Sequence, residues 1–194
     1  MALAALAAVA FGPAARGKSL ADIDFKIKQG DHRAHNEGIG THALKLGKHH
    51  DRTVRFKVLF PSSAAYKTSS ASHQSDSNKV MGISTGRIHE TSVRLGWAWD
   101  PAASKVQLRF YGYLNGQRAM DELIKVPLDQ WVEVELGLSN SAMFVRANAA
   151  RVEKKHDFKF RGTTTTVVLR TAYFGGEETA PQEVVVRVKD IQHD

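Results

Sequence analysis

The sequence has no cysteine. The fold therefore rests on neither disulfides nor a thiolate metal site, and cysteine usage leaves the redox compartment open. No apolar run approaches the ~20 residues that a membrane-crossing helix needs, so no membrane span is expected. An apolar stripe of period 3.6 and helical length is missing throughout, which argues against a helical bundle. Also missing are a serine nucleophile elbow, a Walker loop and a glycine-rich dinucleotide turn, so no cofactor is expected. Without a Lys/Arg run or an RNA-binding aromatic signature, net charge alone points to nucleic acid, which is not expected as a partner. There is no internal repeat.

What the chain does have is the make-up of one ordinary globular domain. Its 194 residues are 42% hydrophobic and 24% charged, enough to build a substantial core. The net charge of +7 favours an anionic partner. The start is alanine-rich: Ala2 to Phe11 has the length of a signal-peptide apolar core, and Ala8-Val9-Ala10 resembles a small-x-small cleavage site. A basic leading segment is absent. Residues 1–18 are therefore read as a signal-peptide remnant or a disordered tail, with 19–194 as a single domain and a secreted or periplasmic location. The oligomeric state stays open.

The most informative stretch is Thr91 to Gly116. Strict alternation marks a strand with one buried face. Val93, Leu95, Trp97 and Trp99 share one side of a first strand, and Val106, Leu108 and Phe110 share one side of a second. The turn Asp100 to Ser104 joins the two. The opposite, solvent-accessible face carries Ser92, Arg94, Gln107, Arg109, Tyr111 and Tyr113, a set suited to gripping a polar ligand. The plainer interpretation of such a face is a solvated surface.

Other segments alternate as well: Ile23 to Lys28, Thr53 to Phe60, Trp131 to Leu138 with Glu133 and Glu135 on an exposed face, and Glu183 to Ile191. Thr163 to Ala172 is rich in β-branched residues, as strands prefer. A short strand is expected near Ala43 to Leu46, and a strand or a turn of helix over Ala119 to Val126. Ser62 to Ser77 is serine-rich and reads as a long polar loop, either a binding lid or a disordered excursion. About ten short strands separated by Gly, Asn, Ser and Pro predict an all-β fold, an antiparallel β-sandwich.

Nine histidines are present. The pairs His32/His35 and His49/His50 invite a zinc reading, but consecutive residues on a strand splay to opposite faces, and a zinc site needs converging ligands. No metal is expected. Paired glycosidase carboxylates must converge, and Glu133 and Glu135 are more simply surface residues.

Three segments gain meaning together: Asn78-Lys79-Val80-Met81-Gly82; the hairpin, with Ser92 and Arg94 two apart and Tyr111 and Tyr113 two apart; and Tyr173-Phe174-Gly175-Gly176 before the last strand. In this order they resemble the concanavalin A-like jelly-roll polysaccharide lyases of the glucuronan and alginate lyase type, over residues 53–194. Those carry a Lys-Leu-Pro-Gly-like strand, Ser-x-Arg, Tyr-x-Tyr and an aromatic-Gly-Gly turn. The family's proline is Met81 here, and the segment between Lys79 and Ser92 is shorter. The resemblance implies a jelly roll with Lys79, Ser92, Arg94, Tyr111 and Tyr113 in its cleft.

It also implies β-elimination on an acidic, uronic acid-containing polysaccharide. The C5 proton of a uronate is acidic once its carboxylate is neutralised, which a guanidinium does with two hydrogen bonds. Arg94 fills that role, with Arg109 or Gln107 in support. Tyr111 and Tyr113 are the acid and base candidates, with Lys79 and His89 beside them. Two other functions fit the same face: a non-catalytic carbohydrate-binding module, and a structural or adhesion sandwich.

Overall fold

The computed structural model describes residues 18–35, 43–47, 52–156 and 165–194. Residues 1–17 of the possible signal segment, His42, His49, His50 and the first residues of the β-branched stretch lie outside the described residues. Among the described residues, thirteen strands run in chain order: β1 (Lys18–Leu20), β2 (Ile23–Ile27), β3 (Ala43–Gly47), β4 (Arg52–Leu59), β5 (Asn78–Thr85), β6 (Thr91–Asp100), β7 (Lys105–Leu114), β8 (Gln117–Val126), β9 (Val132–Leu138), β10 (Ala142–Ala147), β11 (Ala150–Lys155), β12 (Thr166–Tyr173) and β13 (Val184–His193). All described pairings are antiparallel, and they form two sheets. One runs β1-β13-β4-β9-β10-β11 with β2 also on β13; the other runs β3-β12-β5-β6-β7-β8. This is the β-sandwich that the alternation predicts.

Alternation puts one apolar face of each sheet into the core. Val93, Leu95 and Trp97 of β6 and Val106, Leu108 and Phe110 of β7 are fully buried. They meet Val54, Phe56 and Val58 of β4 and Val134, Leu136 and Leu138 of β9, also buried. Trp97 packs its ring on Phe60 at a centroid distance of 5.0 Å. Fully burying each such side chain contributes ~1.5–3 kcal/mol. Trp99, on the same apolar side of β6, is only partly buried and packs against the edge of this core.

The structure resolves two open expectations and corrects two others. Ala119 to Val126 is entirely strand, as β8. Glu135 is not exposed: it is buried on the outer face of the seven-stranded sheet, where Arg55 of β4 (2.7 Å) and Arg146 of β10 (3.2 Å) reach its carboxylate from both sides. The polar loop from Ser62 is ordered around two short 3-10 turns, Ser62–Ala64 and Ala71–His73, and it buries Ala64 and Tyr66. The Thr68 and Ser70 hydroxyls bond within the loop, while Tyr66 anchors it on Trp97 and Phe174. Arg94 and Tyr111 face outward from the sheet, but each is only 8% exposed. They lie in a cleft rather than on an open face.

Candidate functional site

The outer face of the six-stranded sheet holds a cleft of about 660 Å³. Cross-strand register builds its floor: Arg94 sits opposite Tyr111, and Ser92 opposite Tyr113. On the other side of β6, the ladder to β5 slips one residue between Val80 and Gly82. Met81 takes up the extra residue with φ 52°. Such a bulge leaves one residue unpaired and re-aims its neighbours. Met81 turns into the core, so that Lys79 and Gly82 both fall on the cleft side. A proline, locked near φ −65°, could not form this bulge.

Gly82 then matters for Arg94. A Cβ at Gly82 would stand 2.7 Å from Arg94 Cγ and 3.0 Å from the Val93 carbonyl. Its absence lets the Arg94 stem cross β5, and Nη2 donates to Thr171 Oγ1 of β12 at 3.0 Å. Arg94 Nε is buried without a partner. An unpaired buried guanidinium donor is costly, and a carboxylate is the group that would satisfy it. Burial pulls this guanidinium down to about 10, so it stays charged at neutral pH.

The structure brings together Lys79, His89, Ser92, Arg94, Tyr111 and Tyr113 along the cleft. Lys79 Nζ lies over the rings of Tyr111 (4.9 Å) and Tyr173 (5.0 Å). Desolvation, with Arg94 and Arg118 nearby, lowers its amine to about 8. The Tyr111 phenol moves the other way: burial and the Tyr113 hydroxyl raise it to about 12. The Tyr113 ring meets His89 edge-on at 5.0 Å. Ser92 does not offer its hydroxyl freely, since it donates to the Ile88 carbonyl at 2.7 Å. Among the described residues, no three His, Asp or Glu side chains cluster so as to hold a metal.

Gln107 and Arg109 do not join this cleft. They line a separate pocket of about 280 Å³ further along the same face. Gln107 donates to the Leu108 carbonyl at 3.0 Å, and Arg109 to the Ser75 carbonyl at 2.6 Å. Four further polar or aromatic lining residues were not among the expected site residues: Arg33, Arg118, Thr171 and Tyr173. Two of these had readable cues. Tyr173 opens the aromatic-Gly-Gly segment, and Arg118 pairs with Tyr113 across the Asn115-Gly116 turn. Among the described residues, the cleft lining thus carries Arg33, Lys79, Arg94 and Arg118 and no carboxylate.

No protein-family model and no curated protein sequence matches the chain. Solved structures do match. The alginate lyase AlyC3 superposes with a TM-score of 0.61 at 13% identity, over 89% of this chain and 74% of that one. The alginate lyase vAL-1 from Chlorella virus gives 0.54 at 13% identity, over 92% and 89%. AlyA1 from Zobellia galactanivorans, a PL7 alginate lyase, gives 0.54 at 14% identity, over 88% and 76%. Such identities speak to architecture alone. The chain has the jelly-roll fold of the alginate lyases.

Proposed function

We propose that this protein is a polysaccharide lyase that cleaves a uronic acid-containing polymer by β-elimination. One observation carries the reading. In a cleft whose described charged side chains are all cationic, Lys79 Nζ lies 4.9 Å from the centre of the Tyr111 ring, the amine held low and the phenol high. Titratable groups pushed apart in this way are suited to opposite proton-transfer roles. Arg94 binds and neutralises the uronate carboxylate, which acidifies the C5 proton. Lys79, as the neutral amine, takes that proton. The C5–H pair becomes the C4=C5 double bond, the C4–O bond breaks, and Tyr111 gives its hydroxyl proton to the departing oxygen. Tyr113 and Arg118 hold the Tyr111 hydroxyl in place. The likeness to alginate lyases supports a polyuronate as substrate and an exported protein, as expected of enzymes that meet such polymers.

A second reading has its own support. With Lys79 at about 8, most of its amine is protonated at neutral pH. A cleft that then holds anions without accepting a proton is a binding module. The test is incubation with alginate, glucuronan and a neutral glucan at pH 7 and pH 9, following the ultraviolet absorbance of an unsaturated uronate. The lyase reading expects product from a polyuronate, faster at pH 9, and none from the glucan. Binding of polyuronate without product at either pH selects the module.

A further inference from the structure

Beside the cleft, residues 68–77 cross the outer face of the six-stranded sheet as a strap, and their anchors are unusually complete. Gln74 Oε1 accepts from the Thr68 amide at 3.0 Å, and its Nε2 donates to the carbonyls of Tyr66 and Trp99 at 3.2 Å each. Glu178, on the turn before β13, accepts from the amides of Ser69 and Ser70 and from His73 Nδ1, each at 2.9 Å. Arg109 fixes the Ser75 carbonyl from below. The strap then runs straight into β5 and Lys79.

Where strap and strand meet, the Gly175-Gly176 pair lies against them. A Cβ on Gly175 would stand 1.8 Å from the Ser77 carbonyl oxygen and 2.8 Å from Lys79 Nζ. One on Gly176, which has φ +78°, would stand 1.8 Å from Asp76 Oδ2. Asn78 Oδ1 accepts from the Gly175 amide at 2.7 Å and locks the approach. The Lys79 amine and the Asp76 carboxylate are thus packed against adjacent glycines of one turn.

The groups facing Lys79 are Arg94 from β6, Arg118 from β8, the Tyr111 ring from β7, the Tyr173 ring from β12 and Asp76 from the strap. The two arginines favour the neutral amine; Asp76 opposes them. Asp76 also acts on His73 of the strap and on the Tyr66 phenol. We infer that Asp76 is a positioning residue for Lys79: the strap delivers its carboxylate to the Gly175-Gly176 turn against which the Lys79 amine also packs. Its negative charge there favours the protonated amine. This deepens the reading of Lys79 as the base and rests on it.

The test measures the amine itself as well as turnover. Asp76→Asn, Asp76→Ser and Asp76→Glu are made in the full chain, with folding checked by circular dichroism. Lys79 is titrated through the pH dependence of its modification by a neutral amine reagent, read peptide by peptide in the mass spectrometer. The two neutral variants should lower its midpoint by roughly half a unit or more, as expected for loss of a nearby opposite charge. Asp76→Glu should restore most of the shift. The rising limb of the kcat/KM profile should move by the same amount. A midpoint that stays put or rises in both neutral variants overturns the inference, as does an equal shift in Asp76→Glu. A midpoint that moves as expected while no variant or parent forms unsaturated product upholds the role of Asp76 and removes the lyase reading instead.

Discussion

Removal of the Arg94 guanidinium is the perturbation with the clearest magnitude. Its Nη2 is engaged by Thr171 at 3.0 Å, while Nε is buried and unpartnered. An arginine has five N–H donors in a planar fork, so donors remain to grip a carboxylate edge-on. Each charge-assisted hydrogen bond contributes ~1.5–3 kcal/mol net, and every ~1.4 kcal/mol is tenfold in affinity. Arg94→Ala should therefore weaken binding of an acidic oligosaccharide roughly tenfold to a hundredfold. Arg94→Lys should recover part of that, since an ammonium keeps the charge without the fork. Calorimetric titration in a Tyr111→Phe background avoids consuming the ligand. Lys154→Ala serves as control, because Lys154 pairs with Asp121 at 2.5 Å on β8 and lies outside the cleft lining. Its effect should not exceed what added salt produces on an exposed charge. Equal losses in Arg94→Ala and Lys154→Ala, or equal affinity for acidic and neutral sugars, would refute a specific carboxylate site and leave only diffuse positive charge.

Other expectations follow from the same geometry. Gly82→Ala should mimic Arg94→Ala in binding, because its Cβ would displace the Arg94 stem at 2.7 Å; the same titration reads it. Leu95→Ala and Leu108→Ala remove fully buried side chains and should each cost ~2–5 kcal/mol, seen as a clear fall in melting temperature. Glu135→Gln leaves Arg55 and Arg146 without their shared carboxylate. Both arginines are about one third exposed, so the loss should be only ~1–3 kcal/mol by chemical denaturation. The pH profile should rise through about 8 as the depressed Lys79 amine loses its proton. It should hold above that to about 10, where the depressed Arg94 guanidinium begins to lose its charge, while the raised Tyr111 phenol keeps its proton to about 12.

Much of the fold was legible because alternation is a local property. Val93, Leu95, Trp97, Val106, Leu108 and Phe110 announce their buried face within twenty residues of sequence, and all six are fully buried. β11 was missed because it is an edge strand whose burial alternates only between half-buried and exposed, leaving a weak apolar signal. Glu135 was misread for a related reason. Its two arginines come from strands 80 residues upstream and 11 downstream, and only register brings them together. Of the candidate site, Lys79, Ser92, Arg94, Tyr111 and Tyr113 were found through ordered motifs. Gln107 and Arg109 share the alternation of Tyr111, but no periodicity reveals that the Ser75 carbonyl takes the Arg109 guanidinium. Nor does any local pattern foretell the bulge at Met81 that turns Lys79 toward Arg94.

The central claim is that this cleft breaks a uronate chain by elimination. Mass spectrometry of the fragments released from a defined polyuronate oligomer tests it most directly, because elimination and hydrolysis differ by one water at the new non-reducing end. The account predicts fragments lacking that water from the parent protein, and a fall of at least about a hundredfold in their rate in Lys79→Met and Tyr111→Phe, in line with loss of a general acid or base. Fragments carrying the full water, or unchanged rates in both variants, would contradict it.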